Sequence, residues 1–243
     1  MWLVLRKKFR YILIINLINN FNIFKSKINL IIHFFNYFNL MWDVWMKRFI
    51  AIDGLDGSGK DTQAKLIGEK YKDDGTVIIR SHPSQDNFFG RKSKSALQKT
   101  GKLNKIIATV CYGADAIRSI VKYKNKADTL IVVRYTLAVS YLHPLISVPV
   151  YKLVCFLLPV SDYMFYLDVS PEESLARMEK RNEKEEMFEN YDALVKVRKM
   201  AEPVLYNWHV ISADESQEIV FEKIETILNE LDEKEFGTLK QLE

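Results

Sequence analysis

Gly54-Leu55-Asp56-Gly57-Ser58-Gly59-Lys60-Asp61-Thr62 has the spacing G-x-x-x-x-G-K, and its residue types suit one task, the gripping of a phosphate chain. Glycines let backbone N–H groups close on an anion, the helix that follows adds the positive end of its dipole, and Lys60 reaches the outer phosphates. Phosphoryl transfer asks for further fixed cations, because its catalysis is mostly positioning and electrostatics. Arg134 is one candidate: it ends the apolar run Leu130-Ile131-Val132-Val133, where burial without an anion would be costly. Arg80 follows Val77-Ile78-Ile79 in the same way, with a structural ion pair as its alternative. Arg177 and Arg181 stand four apart on one helix face, beside Lys180 and Lys184. The interleaved Glu179, Glu183, Glu185 and Glu186 leave a plain solvated face as the other reading of that cluster.

Carboxylates and aromatics complete the set. Asp53 ends the first strand beside the cradle, either holding a metal-bound water or the acceptor, or serving as a turn residue. Asp56, inside the loop, needs a cation or an acceptor hydroxyl to face. Tyr112, Asp115 and Arg118 recur at i, i+3 and i+6 on one helix and could receive a nucleobase, although a core aromatic is the commoner use of such a tyrosine. His82, His143 and His209 show no ligand spacing and receive no role. Cys111 and Cys155 form neither a zinc pattern nor a disulfide framework, which suits a reduced, cytoplasmic compartment.

Positioning these groups requires alternating strands and helices. From Met46 onward, short β-rich runs at 48–53, 77–81, 129–134, 163–168 and 209–212 alternate with helical patterns at 61–72, 103–124, 171–181, 188–205 and 216–231. Ser170-Pro171-Glu172-Glu173 carries its own helix start: a Ser N-cap, Pro at the first helical position, and acids in the first turn. The pattern and the glycine-rich loop predict an α/β fold of the P-loop NTPase type, three layers (α/β/α) around a five-stranded parallel sheet. Ligands then gather at the carboxyl ends of the strands.

Of the 243 residues, the first 45 stand apart, with six Lys or Arg against the single acid Asp43. Without them the chain is one charge negative, which excludes a basic nucleic-acid binder. Residues 1–45 form an atypical N-terminal extension, rich in Ile, Asn, Phe and Lys, and residues 46–243 the catalytic domain. Either the start is over-extended and Met46 is the natural first residue, or Arg6, Lys7, Lys8 and Arg10 mark a membrane-surface anchor; only the latter would bring membrane contact. Asn16, Asn19, Asn20 and Asn22 interrupt the first apolar run, against a spanning helix.

The loop 53–63 and the run Phe165-Tyr166-Leu167-Asp168-Val169-Ser170-Pro171-Glu172-Glu173 resemble two signatures of the nucleoside monophosphate kinases, most closely of the thymidylate kinases. The resemblance spans most of residues 48–230, including Phe188-Glu189 and Val197-Arg198. It implies transfer of the terminal phosphate of ATP, with Mg2+, to a small-molecule nucleoside monophosphate, dTMP first, and commonly a homodimer, with helix 103–124 as the segment of interest. Lys60 then holds the transferred group and Arg134 matches the arginine of the family's Asp-Arg-Tyr strand end. The resemblance also implies a helical lid, whose arginines Arg177 and Arg181 match; with Gly57 standing where some members place a loop arginine, the chain looks like the class that supplies the catalytic arginine from its lid. Tyr112 matches the aromatic on which the acceptor base stacks.

Departures from the family cluster on the acceptor side. Val133 replaces the aspartate before Arg134, and Asp61 replaces the hydroxyl residue after Lys60, so that Asp61 or Thr62 would reach a metal-bound water. His82-Pro83-Ser84-Gln85 stands where the family has an acceptor-phosphate arginine, and Ala116 where an arginine reads the thymine edge, with Arg118 nearby. A kinase for another nucleotide or nucleoside, or a nucleotide-binding protein without turnover, is the alternative.

Overall fold

A computed structural model of the chain describes residues 47–99, 101–142, 144–180 and 190–240. The expectations for the N-terminal extension, His143, Arg181, Lys184 and Phe188-Glu189, and with them most of the lid, lie outside the described residues.

Five strands, β1 (Arg48–Gly54), β2 (Val77–Ser81), β3 (Thr129–Val133), β4 (Met164–Asp168) and β5 (His209–Ser212), form one sheet in the order β2-β3-β1-β4-β5. Every pairing is parallel, with Ile52 opposite Val133 on one side and Phe165 on the other. The three inner strands are near-continuous apolar runs, as strands covered on both faces must be. Ile50, Ile52, Ile131, Val133, Phe165 and Leu167 pack with Ala64, Ile67 and Tyr71 of α1 (Lys60–Tyr71) and Val220, Ile224 and Leu228 of α7 (Gln217–Lys240). On the opposite face Ala51, Leu130, Val132 and Met164 are equally buried, so helices lie on both sides and the three-layer expectation holds. Each buried Val, Leu, Ile, Phe or Met among these contributes about 1.5–3 kcal/mol by leaving water.

The remaining helices are α2 (Phe88–Leu97), α3 (Lys102–Tyr123), α4 (Pro144–Leu157), α5 (Pro171–Glu179) and α6 (Tyr191–Ala201). The start signal of α5 is realised as written: the Ser170 hydroxyl accepts the Glu173 amide at 3.3 Å, with Pro171 opening the helix. Gly68 lets α1 lie close on β2, because a Cβ there would stand 3.0 Å from Ile79. Sequence patterning misses two helices. Gly90 interrupts α2, and it is obligatory there because a side chain would collide with the Ser84 backbone. In α4 Pro149 lies within the helix, against the rule that proline ends one.

Beneath the amino ends of the strands, Arg48 is clamped by Asp232 of α7, with its Nε 2.8 Å from Oδ1. The same carboxylate accepts both Tyr71 and Tyr163 hydroxyls at 2.9 Å. This network ties the last helix to β1 at the end away from the glycine loop. Among the described residues no helix is long and apolar enough to cross a membrane.

Candidate active site

β1 delivers the glycine loop to the centre of the sheet, and the backbone there is built for close approach. Gly57 and Gly59 have φ of 79° and 87°, a region that a residue with a Cβ rarely enters. Gly59 is the N-cap of α1, and no side chain caps that helix, so its first amides face outward as an anion cradle requires. Leu55 anchors the loop by burying its side chain in the core, and its carbonyl accepts the Ser58 amide at 3.1 Å. Ser58 is buried with no partner for its hydroxyl, and Thr62 lies half-buried on the first turn of α1.

Lys60 is almost fully buried, with Nζ 2.7 Å from the Leu55 carbonyl and 3.2 Å from Asp56 Oδ1. Burial, with Arg134 nearby, pushes its ammonium below the ordinary lysine range, against the pull of Asp56, Asp53 and Asp61. Arg134 directs Nη2 to the same Asp56 oxygen at 3.0 Å and Nη1 to Asp61 Oδ2 at 3.2 Å. Two cations from separate elements therefore meet at one carboxylate oxygen. Burial opposes ionisation of Asp56, yet Lys60 and Arg134 outweigh it and hold the carboxyl well below its usual range. The same two carboxylates raise Arg134 despite its burial.

β3 stops one residue short of the 129–134 expectation. Arg134 leaves the strand in the left-handed region, φ 58°, the only non-glycine among the described residues to do so. Its amide still donates to Ile52 at 3.0 Å, and its carbonyl receives His82 Nδ1 at 3.3 Å, which fixes that ring nitrogen as the donor. Sequence patterning gave His82 no role. The structure buries it, lowers its pKa by desolvation, and sets its ring edge-on to Tyr112 at 6.2 Å.

Asp53 sits inside the site rather than at its surface. Its two oxygens take the backbone amides of Gly54 and Tyr135, at 3.0 and 2.9 Å. Burial raises its pKa, those hydrogen bonds and Lys60 opposing. Asp115 is buried as well, and its carboxylate accepts the Ser84 amide, the Ser84 hydroxyl and the Asn87 side chain at 2.6–2.7 Å. It braces the 82–87 loop against α3. Tyr112, one turn earlier, reaches toward the Tyr135 carbonyl at 3.5 Å. Arg80 forms its structural ion pair, Nη2 to Asp86 at 2.8 Å, and lies over Tyr123; Arg118 and Lys122 approach Asp86 at 3.8 Å.

On the β4 side, Arg177 projects from α5 to the loop, with Nη1 3.5 Å from the Gly57 carbonyl and Nε 2.7 Å from Glu173. Ser174, which no sequence signal marks, donates its hydroxyl to the Asp56 carbonyl. Gly57 packs against the same turn: a Cβ there would lie 2.6 Å from the Ser174 carbonyl. Arg198 forks onto Asp168 at 2.7 and 2.8 Å and binds α6 to the end of β4. Among the described residues no cluster of three His, Cys, Asp or Glu forms a metal cage. Asp61 and Thr62 fit a metal held through water and the phosphates, since the Asp61 oxygens retain acceptor capacity beyond Ser81 and Arg134.

The family model described as "Thymidylate kinase" matches residues 52–224, which include all of these groups. A protein named probable thymidylate kinase 1, from Saccharolobus solfataricus, is 29% identical over 189 residues, 73% of this chain and 95% of its own length. The thymidylate kinase of Prochlorococcus marinus strain MIT 9312 is 28% identical over 205 residues, 75% of this chain and 96% of its own. A solved thymidylate kinase structure from Candida albicans superimposes with a TM-score of 0.57 at 20% identity, over 77% of this chain and 91% of that one, a likeness of fold.

Proposed function

The chain belongs to the thymidylate kinase family, and from that premise we propose that it transfers the terminal phosphoryl group of ATP to dTMP, giving ADP and dTDP. The observation that carries the reading is the meeting of Lys60 and Arg134 at one Asp56 oxygen, 3.2 and 3.0 Å away, over an uncapped helix start. Charge spread over the equatorial oxygens of a transferring phosphoryl needs cations converging from several directions.

Roles follow from position. The amides of 54–62 and Lys60 hold the triphosphate, and Arg177 approaches from α5; Arg181, outside the described residues, keeps only the lid role that the family resemblance implies. Arg134 binds the phosphate of the acceptor, whose base lies against Tyr112. Asp53 and Asp115 shape the site through the backbone, Asp53 joining the loop to Tyr135 and Asp115 bracing residues 82–87. Asp56 balances the cations until phosphates arrive. Asp61 and Thr62 would hold Mg2+ through water and the phosphates of ATP, and the ion would supply neutralisation of the phosphate oxygens.

The substrates are small nucleotides, and Cys111 and Cys155 are not joined in a disulfide, in keeping with a cytoplasmic enzyme. A homodimer is supported by α3, where Leu103, Ile106, Val110, Ile117 and Val121 form an exposed apolar stripe at helical spacing. ADP formation with a panel of monophosphates tests the function: dTMP should give the highest kcat/KM, and a clear preference for another acceptor would overturn the reading.

A further inference from the structure

The residue after the loop lysine is an acid, and each of its two carboxylate oxygens accepts a hydrogen bond from another element of the fold. Asp61 sits on the first turn of α1, where a hydroxyl usually approaches the metal. Its Oδ1 accepts the Ser81 hydroxyl at 2.7 Å and its Oδ2 accepts Arg134 Nη1 at 3.2 Å. Ser81 is the last residue of β2 and Arg134 the first beyond β3, and these strands are neighbours in register, Ser81 opposite Val133. Asp61 thus spans from the helix that opens the phosphate cradle to the carboxyl ends of two strands.

Arg134 needs such a partner. Its backbone is held in a strained region, φ 58°, by Ile52 and His82, and this fixes where its side chain leaves the sheet. The guanidinium end remains to be aimed. Asp56 holds one nitrogen and Asp61 the other, so the plane of the fork is set by two carboxylates on opposite ends of the glycine loop. With only Asp56, a single contact would leave the plane free to turn. Each carboxylate takes one donor hydrogen of a group that carries five, and the rest of the fork serves phosphate oxygens.

We infer that Asp61 is a positioning residue, which acts through Arg134 by fixing the guanidinium plane for the acceptor phosphate, with Ser81 holding the carboxylate in turn. This rests on the kinase reading above for its consequence in turnover, while the pairing itself is independent of it. The arrangement also explains how an acid is tolerated beside a polyphosphate: its charge is directed to an arginine rather than to the anion.

A double-mutant cycle tests the inference. Asp61→Ala in the full chain should lower kcat/KM for dTMP by about tenfold or more, with the KM for ATP changing less than about twofold, and Ser81→Ala should give a smaller loss in the same parameter. In an Arg134→Ala background, Asp61→Ala should change kcat/KM by less than about twofold, because the group it aims is gone. Equal losses in both backgrounds, or a loss that falls on the KM for ATP, would overturn it. A second measurement needs no turnover: the side-chain 15N and 1H resonances of Arg134 in ligand-free protein. Distinct, slowly rotating Nη signals in the wild type should merge in Asp61→Ala, which leaves no acceptor at this position, and unchanged signals in that variant would overturn the pairing. A wild-type protein inactive on dTMP would refute the kinase reading alone, and the Arg134 resonances would still decide this one.

Discussion

Asp53 Oδ2 receives the backbone N–H of Tyr135 at 2.9 Å, so the end of β1 grips the second residue beyond the neighbouring strand β3. This bond holds the exit of β3 beside the glycine loop and gives Asp53 a structural signature in pH. Burial raises its pKa, so the folded state favours the protonated form more than the unfolded chain does. Its contribution to stability is therefore full below the ordinary aspartate value, about 3.9, and is lost as pH rises through the raised value. Asp53→Asn keeps one acceptor oxygen and titrates no longer. Wild type minus variant stability, from urea unfolding across pH 3–8, is expected to fall as pH rises; a flat difference would contradict the burial of this carboxylate.

Gly57 and Gly59 share a left-handed backbone but not a neighbourhood. A Cβ at Gly57 meets the Ser174 carbonyl at 2.6 Å, whereas at Gly59 it meets nothing within 4 Å. Gly59→Ala should cost about 1–2 kcal/mol, the backbone term alone. Gly57→Ala adds a forced shift of α5 and should cost about 2–4 kcal/mol. Thermal and urea unfolding would rank the two, and equal losses would mean that the Ser174 contact is unimportant.

Lys60→Ala and Arg177→Ala should separate binding from chemistry. Lys60 is inside the cradle, and its removal should lower kcat by about a hundredfold or more while also weakening ATP. Arg177 lies at the rim, near the Gly57 carbonyl, and its loss should leave ATP binding within about threefold while slowing turnover by about tenfold or more. Isothermal titration with ATP beside steady-state kinetics distinguishes the cases; Arg177→Ala with unaltered kcat would remove it from the reaction.

The apolar stripe of α3 predicts a dimer that one charge can open. Val110, 65% exposed, lies midway along the stripe, and Val110→Asp would bury an unpaired carboxylate at a two-fold contact. Its dissociation constant should rise at least about tenfold, read by sedimentation equilibrium. A monomeric wild type at tens of micromolar would refute this surface as the contact.

Local signals in the chain proved sufficient for the frame. β2 and β5 fall on the residues that patterning gives, because each is a short apolar run bounded by turn residues, and α5 begins where Ser170 and Pro171 require. Lys60 and its glycines are legible since the motif is contiguous and every residue in it has one physical task. What patterning misses depends on distant partners. Asp115 reads as a ligand-facing carboxylate, but Ser84 and Asn87, some thirty positions earlier, consume its oxygens. Arg80 meets Asp86 only after the chain turns, and Ser174 becomes part of the loop only because α5 folds over it. Arg134 reads as a strand residue because no composition rule marks a left-handed arginine.

The order β2-β3-β1-β4-β5 seats the phosphate loop between two independent neighbours. Arg134 and the 82–87 loop arrive from β3 and β2, while Ser174, Arg177 and Arg198 arrive after β4. Substitutions that retune recognition of one substrate can therefore accumulate along one flank without passing through the other, which makes this topology a modular chassis for new specificities.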